Sequence, residues 1–215
     1  MHKKTLLAAV LCVAASLAHA SPELLRSAEQ GDLAGVQRQL RSGAAVDARD
    51  ARQRTPLLLA TWANHPAVAQ ALIAAGADVN AKDDQQDSPY LVAGAHGRTE
   101  ILKMTLTHGA DLRSTNRYGG TALIPASEKG HPEAVRLLIQ AGADVDFVNN
   151  LGWTSLLEVV ILGQDTTVYQ DITRQLIAAK ANVNLPDKNG VTALQHARQR
   201  GLTQIVALLV QAGAR

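Results

Sequence analysis

Short apolar runs recur along this chain, each opened by a threonine or serine and each followed by a turn. Thr55-Pro56-Leu57-Leu58-Leu59-Ala60 is one such run, and related openings stand at Ser88, Thr121 and Thr154, each 33 residues after the last, with a further one at Thr192. A hydroxyl in this place can accept an N–H that the first turn of a helix leaves unpaired, and a proline directly after it loses nothing. Helices are therefore predicted to begin at these five residues. A second helix follows within each unit: after the turn at Asn64, Pro66 opens a run in which Val68, Leu72 and Ile73 fall at core spacing until Gly76 stops it. The stops keep the same interval, since Gly43-Ala44, Gly76-Ala77, Gly109-Ala110 and Gly142-Ala143 are 33 residues apart and Gly213-Ala214 closes the series. A fixed period of this length marks a stacked repeat architecture. Residues 114–146 are its most regular unit.

The period divides the chain into an N-terminal cap at 21–47, units at 48–80, 81–113, 114–146 and 147–184, and a C-terminal cap unit at 185–215. In the first of these, Asp32 suits the start of a second helix, and Glu23, Arg26 and Glu29 supply the wet side that a terminal repeat needs. Pro125 falls three residues into its helix, where it forfeits one backbone bond and is expected to tighten or bend that turn. The fifth unit breaks the period by five extra residues, which the flanking patterns place around 163–169. Insertions in solenoids map to loops on one edge, so this segment is either a functional loop or a tolerated one. Lys180 takes the place of the stop glycine there, at a cost of ~1 kcal/mol if a left-handed turn is kept.

Thr55-Pro56-Leu57 with Ala60, and the endings 72–80 (LIAAGADVN) and 138–146 (LIQAGADVD), together resemble the ankyrin repeat. The resemblance covers about 21–215 and implies an all-α solenoid of about six helix-turn-helix units joined by short hairpin fingers. Two departures stand out. The histidine of the family's T-P-L-H motif is replaced by Leu58, Leu91, Ile124, Leu157 and Gln195, so a polar tether gives way mostly to apolar packing. Gln53 and Gln86 stand where later fingers carry Gly119, Gly152 and Gly190, so the first two finger turns are expected to differ in geometry.

The first twenty residues form a separate unit. Lys3 and Lys4 precede an apolar run from Thr5 to Leu17, and Ala18-His19-Ala20 offers the small residues that a signal peptidase reads, so cleavage is expected after Ala20 and export to a periplasm or beyond. Cys12 is the single cysteine and leaves with that segment, which excludes disulfides and thiol chemistry in the mature chain. Without Lys3 and Lys4, 19 basic residues face 19 acidic ones, and this balance argues against nucleic acid as a partner.

Chemistry has little to build on. The mature chain has no G-x-S-x-G, H-E-x-x-H or phosphate-loop motif, and the run Lys82 to Asp87 lacks the glycine and closing glutamate of a calcium loop, so a solvated hairpin tip is expected there. His65 and His131 share one position between a turn and a proline, where a structural role is expected, while His108 precedes a helix-ending glycine. His96, Glu128, Glu158 and His196 lie on first helices at positions the core does not require, too far apart on successive units to share a proton. No enzyme, cofactor or metal site is therefore expected. The resemblance implies a concave recognition face, whose carried-over positions on the first helices are Leu59, Trp62, Val92, His96, Pro125, Glu128, Glu158, Ile161, His196 and Gln199. Arg52, Gln85, Tyr118, Leu151 and Asn189 are their counterparts near the finger tips. Trp62 either anchors a partner or packs under a neighbouring finger. The expectation is a monomeric, non-catalytic module that binds an unidentified protein, without nucleic acid and without a membrane anchor after cleavage. The alternatives are an accessory enzyme or metal binder using the acidic and histidine groups or residues 163–169, and a secreted effector that binds host proteins.

Overall fold

The computed structural model describes residues 22–215. The segment at 1–20, expected from the sequence to direct export, and Ser21 lie outside the described residues. Twelve helices follow in pairs: α1 (Pro22–Gln30) and α2 (Leu33–Arg41), α3 (Pro56–Trp62) and α4 (Pro66–Ala74), α5 (Pro89–Ala95) and α6 (Thr99–Thr107), α7 (Leu123–Glu128) and α8 (Pro132–Gln140), α9 (Ser155–Leu162) and α10 (Thr167–Ala178), α11 (Ala193–Gln199) and α12 (Thr203–Gln211). The first helices pack in one row and the second helices in another behind it, which is the all-α solenoid. The described residues contain no strand, only an isolated bridge between Pro186 and Thr192, and no helix long and apolar enough to cross a membrane.

Position in the stack explains composition. An inner helix such as α3 is flanked by α1 and α5 and backed by α4, so Pro56 to Thr61 are all buried and the segment reads as an unbroken apolar run. An outer helix has one wet side: α8 buries Ala134, Val135 and Leu138 and leaves Glu133, Arg136 and Gln140 exposed. Each leucine fully buried in this way contributes ~1.5–3 kcal/mol. Leu58, Leu91, Ile124 and Leu157, which replace the motif histidine, are all buried, and Gln195 instead completes a capping box with Thr192.

The helix starts follow the hydroxyls with one exception. The Leu58, Leu91 and Leu157 N–H groups donate to Thr55 Oγ1, Ser88 Oγ and Thr154 Oγ1 at 3.2, 3.2 and 3.3 Å. Thr121 does not cap: its hydroxyl is buried without a partner, and α7 begins two residues later. Pro125 is the reason, because it cannot donate to the Thr121 carbonyl, which accepts from Ile124 N–H at 3.2 Å in a tighter turn.

Each finger is built on a residue whose period the sequence carries openly. Asp83 Oδ1 accepts the N–H groups of Gln85 and Asp87, both at 2.9 Å, and Asp50, Asn116, Asn149 and Asp187 do the same in their own fingers. Asp83 is therefore a buried turn-former, while only Asp84, Gln85 and Gln86 form the wet tip. The expected difference at Gln53 and Gln86 is absent. Their φ angles of 61° and 63° repeat the left-handed turn of Gly119 at 71°, so the hydrogen-bonded finger imposes the conformation on a residue that disfavours it. Lys180 keeps the left-handed stop at φ 69°.

The units are stitched by side chains that reach one repeat along. Asp47, Asn80, Asp146 and Asn184 accept the N–H groups of Asp78, Asp111, Asn182 and Arg215. His65 bonds the Glu29 carbonyl at 3.2 Å, and Tyr169 donates to the Glu128 carbonyl at 2.9 Å from the corresponding place. The insertion is likewise knitted in. Only 163–166 is loop, and the rest lengthens α10 to 12 residues. Asp165 accepts from Gln204 and Ile205 N–H at 2.8 and 3.2 Å, capping α12, while Arg200 donates to the Val160 and Gly163 carbonyls. The extra residues thus form a splice between units rather than a free loop.

Candidate interaction surface

Large apolar side chains at the surface are the first signal. Trp62, Tyr118, Leu151 and Leu162 are 38, 56, 49 and 48% exposed, and all four line two adjoining clefts made by first helices and fingers, Tyr118 lining both. The first cleft, about 300 Å³, is lined by Trp62, Val92, His96, Arg117, Tyr118 and Lys129 among others. The second, about 240 Å³, is lined by Tyr118, Leu151, Leu162, Asn149, Glu128 and Glu158 among others. Asn116, Tyr118, Pro125 and Glu128 belong to both, so the two form one continuous surface centred on the third finger.

The first cleft has an ordered wall. Trp62 ends α3 one helix before His96, which caps the C-terminus of α5, and the two rings meet edge to face with centroids 4.7 Å apart. Trp62 is thus neither bare nor hidden under a finger: it rests on His96 and keeps a solvent face. Lys129 Nζ lies 3.4 Å from His96 Nε2, and burial first, then the charges of Lys129, Arg98 and His131, push His96 down to about 4. His96 is therefore neutral near pH 7, an acceptor for the ammonium. Arg117 lies over Tyr118 at 4.9 Å and 3.6 Å from Asp87, so the finger carries its charge on an aromatic platform.

The other expected positions divide by depth. Leu59, Val92 and Pro125 are buried and shape the surface from below, while Ile161 is half-buried against the core. Arg52, Gln85, Asn189 and Gln199 are exposed. Two of the positions read as free of core duties do serve the fold. His196 Nε2 pairs with Asp187 Oδ2 at 2.8 Å and props the last finger. Glu158 is only 4% exposed, and its Oε1 accepts from Asn149 Nδ2 at 2.8 Å. Burial, with the charge of Glu128 added, pushes Glu158 up to about 7 against the bond from Asn149. Glu128 and Glu158 share the second cleft, and the charge of Glu128 adds to the upward push that burial gives Glu158.

Sequence reading missed Leu162, Asn149, Arg117 and Lys129. Both Asn149 and Leu162 had a signal: Asn149 continues the 33-residue series from Asp50, and Leu162 continues the series Ala63, His96 and Lys129, which lies at the open end of each first helix. Among the described residues no three His, Cys, Asp or Glu side chains gather as a metal site would require.

Comparison with known proteins agrees with the repeat geometry. A family model described as ankyrin repeats (three copies) matches residues 24–116 and 90–169. The crystal structure of an ankyrin repeat domain from Acinetobacter baumannii AYE is 57% identical, with a TM-score of 0.87 over 89% of this chain and 98% of that one. The structure of a second ankyrin repeat protein is 45% identical, with a TM-score of 0.85 over 88 and 96% of the two chains. The ankyrin repeat domain of Bcl-3, a unique member of the IκB protein family, is 31% identical, with a TM-score of 0.80 over 90 and 86%. No curated protein sequence matches the chain.

Proposed function

This chain belongs to the ankyrin-repeat family, whose domains typically serve as protein-interaction modules, and on that premise we propose that it is a non-catalytic binding protein acting through the joined clefts. The observation that carries the reading is the alignment of Trp62, Tyr118, Leu151 and Leu162, four solvent-exposed apolar side chains on one rigid surface. Such a surface is formed before a partner arrives, so binding loses little freedom and a few aromatic anchors can supply most of the affinity. The place of action is the periplasm, or outside the cell, after cleavage behind Ala20, and the mature chain acts as a monomer. Terminal sequencing of protein from native cells should then begin at Ser21.

The binding test uses tagged mature protein crosslinked in its own compartment. Trp62→Ala with Tyr118→Ala should keep the circular dichroism of the wild type and weaken capture at least ~30-fold, the loss of one interface hot spot of ~2 kcal/mol or more. Undiminished capture by the double variant would place the interface elsewhere.

A further inference from the structure

The second cleft contains an unmet acceptor. Glu158 Oε1 is satisfied by Asn149, but Glu158 Oε2 is buried and has no hydrogen-bond partner, on a side chain only 4% exposed. Buried polar groups in folded proteins are almost always paired, and one left unpaired weakens the fold. Glu128, from the neighbouring inner helix, lines the same cleft, whose lining holds two carboxylates and no basic side chain. Around them stand Tyr118, Leu151 and Leu162, which can cover the methylene stem of a long cationic side chain.

We propose that this cleft receives an arginine side chain presented by the protein partner, with the guanidinium bridging Glu158 Oε2 and Glu128. The inference rests on the reading of this surface as a protein-binding site and specifies what the partner carries. Arginine fits better than lysine for a physical reason. Its planar fork can serve two carboxylates on different sides at once, it is less strongly hydrated, and it stacks on aromatic rings. Tyr118 already carries one guanidinium, that of Arg117. Glu158 Oε2 is closed to solvent, so docking swings the carboxyl outward into the cleft.

Binding of this kind depends on pH. The charged and titratable groups on the helices packed against α9 are Glu128 of α7, Tyr169, Asp171 and Arg174 of α10, and His196 and Arg198 of α11. Of these, Glu128 is the one whose charge raises Glu158, so the cleft gains its full negative charge only above about 7.

The test is a titration of isotope-labelled mature protein, followed by amide NMR, with acetyl-Gly-Arg-Gly-amide, its lysine counterpart and its neutral isostere containing citrulline. The arginine peptide should shift Tyr118, Asn149 and Glu158 at about pH 8, bind at least ~10-fold more tightly than the citrulline peptide and more tightly than the lysine peptide, and weaken at least ~10-fold at about pH 5.5. Glu158→Gln, which keeps shape and the acceptor for Asn149, should lose that affinity, and Glu128→Gln should reduce it. Equal binding of the arginine and citrulline peptides, a preference for lysine, or undiminished binding by Glu158→Gln would overturn the assignment. Partner capture separates the two levels. Capture that needs Trp62 and Tyr118 but ignores Glu158→Gln removes the arginine site alone, whereas capture indifferent to all three removes the surface.

Discussion

Replacing Glu158 by glutamine isolates the energetic consequence of burying a carboxyl in the second cleft. The ordinary value of 4.5 is pushed up to about 7, because desolvation and Glu128 outweigh the bond from Asn149. At low pH both the folded and the unfolded chain hold the proton, and the group contributes nothing. As pH rises from about 4.5 toward 7, the unfolded chain releases the proton while the folded one keeps it, so stability falls; beyond that the deficit is constant. At ~1.4 kcal/mol per unit the gap sets an upper bound of ~3.4 kcal/mol, and relaxation of the folded chain around the ionised carboxylate reduces it to ~2 kcal/mol. Glutamine mimics the protonated acid at every pH. The advantage of Glu158→Gln over wild type should therefore grow by ~2 kcal/mol between pH 4.5 and 8, or ~4–8 °C in Tm for a chain of this size. Urea unfolding followed by circular dichroism at five pH values measures it. Two parallel curves, with a difference constant to within ~0.5 kcal/mol, would refute the claim that burial raises Glu158 despite its bond from Asn149.

Gln86→Gly and Gln53→Gly should each stabilise the protein by ~0.5–1 kcal/mol, since the finger holds both residues left-handed and glycine meets no steric penalty there; a loss of stability would contradict the turn geometry. Asp165→Ala should cost ~1–2 kcal/mol and speed proteolysis near α12, because the Gln204 and Ile205 N–H groups lose their cap; an unchanged Tm would show the insertion to be a dispensable loop.

The repeat could be read from the chain because its determinants are local. Thr55, Ser88, Thr154 and Thr192 cap the helix that follows each of them, and glycines stop the helices at a fixed interval, so both signals lie within a few residues of what they control. Lys180 was legible for the same reason, as a left-handed stop set by its own turn. Thr121 shows the limit even of local signals, since Pro125 four residues later takes away the bond that would have set the start.

What the tertiary structure decided is every property that depends on the next repeat. Gln53 and Gln86 belong instead with the local signals, since Asp50 and Asp83, which fix their left-handed turns, stand three residues before them in the same finger. Asp165 is a cap because α12 stacks beside it, some forty residues away in sequence. Glu158 looked like a surface acid on a repeated position, and stacking of α9 between α7 and α11 made it a buried one. The chain by itself determined the period, the helices and the row of candidate positions. Only packing determined which of them are covered, which stay open, and which carboxylates of different units line one cleft, because exposure and charge coupling arise between repeats and not within one.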